Sequence, residues 1–221
     1  MKIFILPSLL AADIGHLADE IKRAEDAGAD ELHLDIMDGA FVPNISFGPN
    51  IVELAKKHTG LLLNVHLMLA RPDLYVAKFI DAGADTVQIH VESSCDPAKV
   101  IEDIRARGAN PAIVLNPLTP YVSALPYINS VNECLYMSVF PGYGGQKFKT
   151  ETLSSVKSLR EELNKRGLDD FRIMVDGGID RNTIKSCYQA GANAFVAGTA
   201  LFSKQDMKSE IKLFREIINA F

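Results

Sequence analysis

Four times the chain repeats nearly the same five-residue string: DAGAD at 26–30 and at 81–85, ARGAN at 106–110 and QAGAN at 189–193. Before the first copy lie apolar residues at helical spacing, Leu17, Ile21 and Ala24, and after every copy comes a short β-rich run. A glycine at that fixed place suits the left-handed residue that ends a helix, so the string reads as a helix stop feeding a strand. Four copies at equivalent junctions require a fold built by repeating one strand–helix unit. Strand-like runs number eight, at 3–6, 31–36, 61–66, 86–90, 111–116, 134–139, 171–176 and 193–198, with helical patterns between them such as Val156, Leu159 and Leu163. Eight such units in 221 residues, with no linker-like shift in composition, predict an α/β chain folded as one (β/α)8 TIM barrel over residues 1–221. An open doubly wound sheet is the competing architecture, and the absence of GxGxxG after the first strand counts against it.

Composition narrows the partners. The formal net charge is -5, and Lys and Arg are dispersed among Asp and Glu, so no basic stripe is available to follow a phosphodiester backbone and no nucleic acid is expected. No run approaches the roughly 18 apolar residues of a membrane span, so no membrane partner is expected either. Cys95, Cys134 and Cys187 are odd in number and far apart, which indicates neither a disulfide framework nor a zinc knuckle and makes a reducing, cytoplasmic setting the expectation. The N-terminal MKIFILPSLLAAD resembles a secretory signal only superficially: Pro7 and Ser8 break the apolar run, which reads as a first buried strand.

In such a barrel, catalytic groups stand at the C-terminal ends of the strands and in the loops that follow. The candidates are Ser8 after the first strand, His33 and Asp35 on the second, His66 ending the third, His90 and Glu92 at the fourth, Asn116 at the fifth and Asp176 ending the seventh. His16 and His58 fall in helical patterns and read as solvated. His33 and Asp35 are two apart on a strand, so both leave one face while Leu32, Leu34 and Ile36 leave the other. The apolar triplet packs on helices and the polar pair faces the barrel interior. With His66 and Asp176, two imidazoles and two carboxylates converge on one mouth, a donor set suited to one divalent metal ion, Zn, Fe, Mn or Co.

Glycines supply a second half of the site. VDGGI (175–179) and VAGTA (196–200) follow the last two strands, where barrels hold phosphate through backbone N–H groups and a short helix without requiring Lys or Arg. PGYGGQ (141–146) after the sixth strand is a candidate lid or a further phosphate contact.

PSLLAAD (7–13), LHLDIMDGAFVPNISFG (32–48), HLML (66–69), HVE (90–92), NPLTP (116–120), PGYGGQKF (141–148) and VDGGI (175–179) together resemble the ribulose-phosphate 3-epimerase family over nearly the whole chain. The resemblance implies a (β/α)8 barrel that interconverts D-ribulose 5-phosphate and D-xylulose 5-phosphate, a pentose phosphate pathway reaction, with a divalent metal. It implies His33, Asp35, His66 and Asp176 as metal ligands, with Asp35 and Asp176 also the catalytic acid/base pair. Substrate contacts are implied at Ser8, His66, Met37, Met68, Met137, Gly142, Tyr143, Gly144, Gly145, Gly177, Gly178, Gly198 and Thr199. On sequence alone, core filling is an equally good reading of the three methionines. Asp38 has no such catalytic role in the family and reads as orienting the turn before Gly39. The implied partner is a small phosphosugar, and the family's habit implies a homo-oligomer.

Inverting a carbon beside a ketone calls for one carboxylate to take the C3 proton and a second, on the opposite face, to return one, through an enediolate that the metal stabilises. General acid/base catalysis supplies only about 10²- to 10⁴-fold, hence the need for that stabiliser. Phe140 stands where the family usually has a polar or acidic residue, and Tyr143 where Phe is common. Both departures touch the sugar pocket or lid rather than the reaction type. The alternatives are a D-allulose 6-phosphate 3-epimerase and a non-catalytic phosphosugar-binding barrel; the second calls for an eroded metal or acid site, which this sequence does not have. The D-x-K-x-x-D string of related barrel decarboxylases is absent from the strands.

Overall fold

The computed structural model describes residues 1–220 and has eight parallel strands: β1 Phe4–Pro7, β2 Glu31–Met37, β3 Leu62–Met68, β4 Thr86–His90, β5 Asn110–Leu115, β6 Glu133–Met137, β7 Arg172–Asp176 and β8 Ala194–Ala197. They hydrogen-bond in the order β1-β8-β7-β6-β5-β4-β3-β2, and a single parallel bridge between Ser8 and His33 draws the two edges together into a nearly closed barrel. Around it run α1 Leu17–Asp26, α2 Pro49–His58, α3 Val76–Asp81, α4 Pro97–Ala106, α5 Thr152–Lys165, α6 Ile184–Gln189, α7 Thr199–Phe202 and α8 Met207–Asn219.

The repeated string does what its spacing predicts. Gly28, Gly83, Gly108 and Gly191 have φ of 85°, 109°, 85° and 104°, each closing a helix and releasing the chain into the next strand. At Gly191 the need is also spatial, because a Cβ would lie 2.6 Å from the Cβ of Arg160. Leu17, Ile21 and Ala24 on α1, and Val156, Leu159 and Leu163 on α5, are all buried against the barrel wall. Each fully buried Ile or Leu contributes roughly 1.5–3 kcal/mol.

The structure departs from eight equal units at the fifth. Between β5 and β6 there is no α-helix, only two 3₁₀ turns at Tyr121–Ser123 and Ile128–Ser130. Pro117, Pro120 and Pro126 explain this, since each removes a backbone donor and disfavours helix for the residue before it. Strand ends otherwise shift by one or two residues from their expected places; β3, for instance, runs on to Met68.

Strand parity sets the core. Leu32, Leu34 and Ile36 join the apolar layer between wall and helices, while Leu6, Val114, Leu135, Met137, Met174, Ala194 and Val196 fill the barrel interior. Below them lies a charged floor of Glu31, Glu133 and Arg172 with Asn64 and Gln88. His16 and His58 are exposed, as their helical placement requires. No helix among the described residues is long and apolar enough to cross a membrane, and the three cysteines are unpaired.

Candidate active site

The inward positions of β2 climb from Glu31 through His33 and Asp35 to Met37, and β3 repeats the ascent with Asn64, His66 and Met68. Parallel register sets Asp35 beside His66, and β7 brings Asp176 to the same level at its C-terminal end. The result is a cluster in which one donor atom from each of His33, Asp35, His66 and Asp176 lies within 4.8 Å of all the others. His66 Nδ1 is 3.1 Å and His33 Nε2 3.3 Å from Asp35 Oδ1, while Asp176 Oδ2 is 3.8 Å from His33 Nε2 and 4.0 Å from His66 Nδ1. The other oxygen of Asp35 accepts the Ser8 hydroxyl at 2.6 Å.

These groups fit a metal ion on two counts. A tetrahedral shell with arms of about 2.1 Å has donor–donor edges of about 3.4 Å, in the middle of the observed spacings. His33 is fully buried, yet neither of its ring nitrogens has a hydrogen-bond partner, a costly arrangement unless a cation takes up the lone pair facing the carboxylates.

The two carboxylates differ electrostatically. Burial resists ionisation of Asp35, but the neighbouring His33 outweighs it and holds its carboxyl well below the usual range. Burial and the adjacent charge of Asp35 push Asp176 up to about 7. Burial brings His66 down to about 4, keeping that ring neutral, whereas for His33 the carboxylates of Asp35 and Asp176 overcome burial and raise it. Two carboxyl groups whose proton affinities are driven apart in one cavity are the pattern of an acid paired with a base.

Above the cluster opens a cavity of about 900 Å³. Every expected substrate-contact residue lines it except His66, which with His33 is fully buried beneath its floor. Met37 and Met68 pack with Val42, and Met137 with the barrel interior, so the three methionines serve as core and as cavity wall at once. Gly142, Gly145, Gly177 and Gly178 have φ of 126°, 72°, 111° and 63°. Gly198 does not, at φ -96°; there a Cβ would meet Ala11 Cβ at 3.0 Å, a tight contact that favours the smaller residue. Thr199 opens the short α7.

Asp38 shapes its turn as expected, with Oδ1 accepting from the N–H groups of Ala40 and Phe41, and it reaches further, Oδ2 taking the N–H of Ala70. Tyr143 lines the cavity and its hydroxyl donates to the Pro43 carbonyl at 2.6 Å, fastening the glycine loop to the loop after β2. Phe140 is not among the lining residues; its ring lies under Lys149. Several contributors were not singled out in the sequence, although Ser46, Gln146 and Lys147 lie inside the motifs quoted from it. Ser46 Oγ bonds the backbone of Asp35 and Met37, Gln146 folds the glycine loop back on Phe140 and Tyr143, and Lys147, Arg181 and Lys204 bring cations to a rim expected to work without them. Asn116 stands outside the lining, but its N–H bonds Glu92.

The comparisons with known proteins agree with this geometry. The model of the ribulose-phosphate 3 epimerase family matches residues 4–202. The chain is 41% identical to the ribulose-phosphate 3-epimerase of Bacillus subtilis, covering 96% of this chain and 98% of that one, and 45% identical to that of Synechocystis, covering 91% and 88%. A protein of that name from Methanocaldococcus jannaschii is 43% identical, covering 95% and 88%. Among solved structures, orotidine 5'-phosphate decarboxylase from Pyrococcus horikoshii superposes with a TM-score of 0.70 at 16% identity, covering 98% and 99%, a likeness of fold alone. A family model spanning nearly the whole barrel, relatives above 40% identity over almost their full length, and an intact four-donor cluster make this chain a member of the ribulose-phosphate 3-epimerase family.

Proposed function

We propose that this enzyme inverts C3 of D-ribulose 5-phosphate to give D-xylulose 5-phosphate, with Asp35 and Asp176 as the two proton-transfer groups. The observation that carries the reading is the convergence of these two carboxyls, from β2 and β7, on one cavity as members of the four-donor cluster. Asp35, kept ionised by His33 and the Ser8 hydroxyl, takes the proton from one face of C3. Asp176, reaching the same cavity from β7, gives a proton to the other face, and for the reverse substrate the roles exchange. Met37, Met68 and Met137 keep water from the carbon between them, and the glycines 177, 178 and 198 with Thr199 and the 142–145 loop are assigned to the substrate and its phosphate. His33, Asp35, His66 and Asp176 would hold one divalent ion of the Zn, Fe, Mn or Co kind, which would supply Lewis-acid stabilisation of the negative charge gathering on the substrate oxygens.

Incubation in D2O tests the assignment: product gains deuterium at C3, and Asp35→Asn and Asp176→Asn each abolish turnover. Turnover retained in both would refute it. A panel of pentulose and hexulose phosphates separates this reading from a D-allulose 6-phosphate epimerase, which would show the higher kcat/KM on the hexulose. A cytoplasmic location and assembly into a homo-oligomer belong to the same reading. Exposed Ile45, Leu74 and Leu118 are available for self-association, which light scattering would detect.

A further inference from the structure

His90 and Glu92 stand at the end of β4 and line no part of the substrate cavity, yet they join the cluster from behind. His66 Nε2 is 2.9 Å from His90 Nε2, and His90 Nδ1 is 3.2 Å from Glu92 Oε2. The two ring centres are only 5.0 Å apart, so the facing nitrogens lie close to the line joining them and the contact is nose to nose. Phe41 covers His90, its ring centre 4.6 Å from that of the imidazole, and His66 and His90 are both fully buried. Glu92 is itself anchored: its Oε1 accepts the Asn116 N–H at 2.9 Å and the Thr119 hydroxyl.

We infer that Glu92, acting through His90, is a positioning residue that fixes the tautomer of His66 so that Nδ1 presents a bare lone pair to the metal ion. The steps follow from which atoms can donate. A carboxylate only accepts, so His90 must donate from Nδ1, and the Nε2 of the neutral ring is left as an acceptor. His66 must then donate from Nε2, which leaves its Nδ1 without a proton. That lone pair faces Asp35 Oδ1, another pure acceptor, at 3.1 Å. Two acceptors held face to face repel each other, and a cation between them satisfies both. The Glu92–His90 pair thus builds into the cluster an arrangement completed by a metal ion, and it rests on the metal reading proposed above.

The anchoring of Glu92 makes the inference testable in sign as well as size. In Glu92→Gln the amide oxygen must stay on the Asn116 N–H, which cannot accept, so the NH2 group turns to His90 and donates to Nδ1. The relay then runs backwards and places a proton on His66 Nδ1, where the metal belongs. Glu92→Ala lets water take the place of the carboxylate and imposes no polarity.

Zinc affinity, measured by competition with a chromophoric chelator, is therefore expected to fall by roughly 10- to 100-fold in Glu92→Gln and by less in Glu92→Ala. A merely structural role gives the opposite order, since the amide keeps the bonds to Asn116 and Thr119. Long-range ¹H–¹⁵N spectra of the zinc-loaded protein are expected to show His66 protonated at Nε2 and His90 at Nδ1. An affinity for Glu92→Gln equal to or above that of Glu92→Ala, or a proton on His90 Nε2, overturns the relay. In the same titration His33→Ala is expected to lose zinc. If it binds as the unaltered protein does, the metal reading fails and the relay with it; if it loses zinc while the Glu92 order is reversed, the relay fails alone.

Discussion

Arg172 lies at the floor of the barrel and ties its two sides together. Its Nη1 donates to Glu31 Oε1 on β2 at 2.8 Å and to Glu133 Oε2 on β6 at 3.0 Å, and its guanidinium sits 3.8 Å from the centre of the Phe4 ring on β1. β2 and β7 are also the strands that carry Asp35 and Asp176, so the bridge fixes in depth the two elements whose upper ends perform the proposed proton transfers. Replacing it by Arg172→Met keeps the aliphatic stem and deletes the charge, leaving two carboxylates, 3% and 4% exposed as residues, without their cation. Removing one partner of a buried ion pair costs about 3–5 kcal/mol. The side chain of Arg172 is 20% exposed, which places the expected loss near the lower end, about 3 kcal/mol. For a chain of this length that corresponds to a fall in Tm of roughly 6–12 °C.

The loss depends on pH, and its sign follows from Glu31. Burial already raises the proton affinity of that carboxyl, with Arg172 opposing it, so the substitution raises it further. A group whose folded-state affinity is raised stabilises the fold below its unfolded value and loses that contribution as pH rises. The deficit should therefore be smallest near pH 4.5 and grow toward pH 7.5. Urea unfolding at the two pH values measures it, and adding Glu31→Gln to Arg172→Met should recover a substantial part of the loss at pH 7.5. A deficit under about 1 kcal/mol, the same at both pH values, would mean that the floor is well solvated and the reasoning wrong.

Two further expectations concern the site. Asp176, held up to about 7 by burial and by Asp35, and His33, raised by the same carboxylates, must both give up protons to accept zinc. Calorimetry in buffers of differing ionisation enthalpy should therefore find more protons released at pH 6 than at pH 8, and a constant count contradicts the assigned protonation. Gly178→Ala forces a Cβ to 2.8 Å from the Phe148 backbone nitrogen at φ 63°, so the loops after β6 and β7 must separate. With a strain of order 1–3 kcal/mol, KM for the phosphosugar should rise several-fold or more while zinc affinity stays unchanged; an unaltered KM removes that turn from the phosphate site.

The parts of this molecule legible in the sequence were those written in local periodicity. Glycines at a fixed place predicted the helix stops, and alternation along 31–37 separated the leucines of the wall from His33 and Asp35 inside. The fifth unit misled because the stretch between its strand-like run and the next is long enough for a helix while three prolines exclude one. The floor was illegible for a different reason: Arg172 meets Glu31 across 141 residues of sequence, and only barrel register decides that they share a layer. His90 and Glu92 stood out as strand-end groups, but their contact with His66 depends on the offset between β3 and β4, which no single strand records.

Height in the barrel decides what each inward polar group does. At the floor, the charges of Glu31 and Glu133 are met by a guanidinium within the layer, so that level is structural. At the level of Asp35 and Asp176, the groups in contact are imidazoles and the Ser8 hydroxyl rather than Lys or Arg. The relay from Glu92 keeps one of those imidazoles neutral with its lone pair turned inward, so among the described residues the one side-chain cation beside the two carboxylates is His33 while it holds its second proton. Buried carboxylates remain ionised only when a positive charge stands close by. The divalent ion proposed above would supply two such charges where the four donors meet, and Asp176, whose ion-pair contacts are with His33 and His66 rather than Lys or Arg, would not be locked away from the proposed proton transfer.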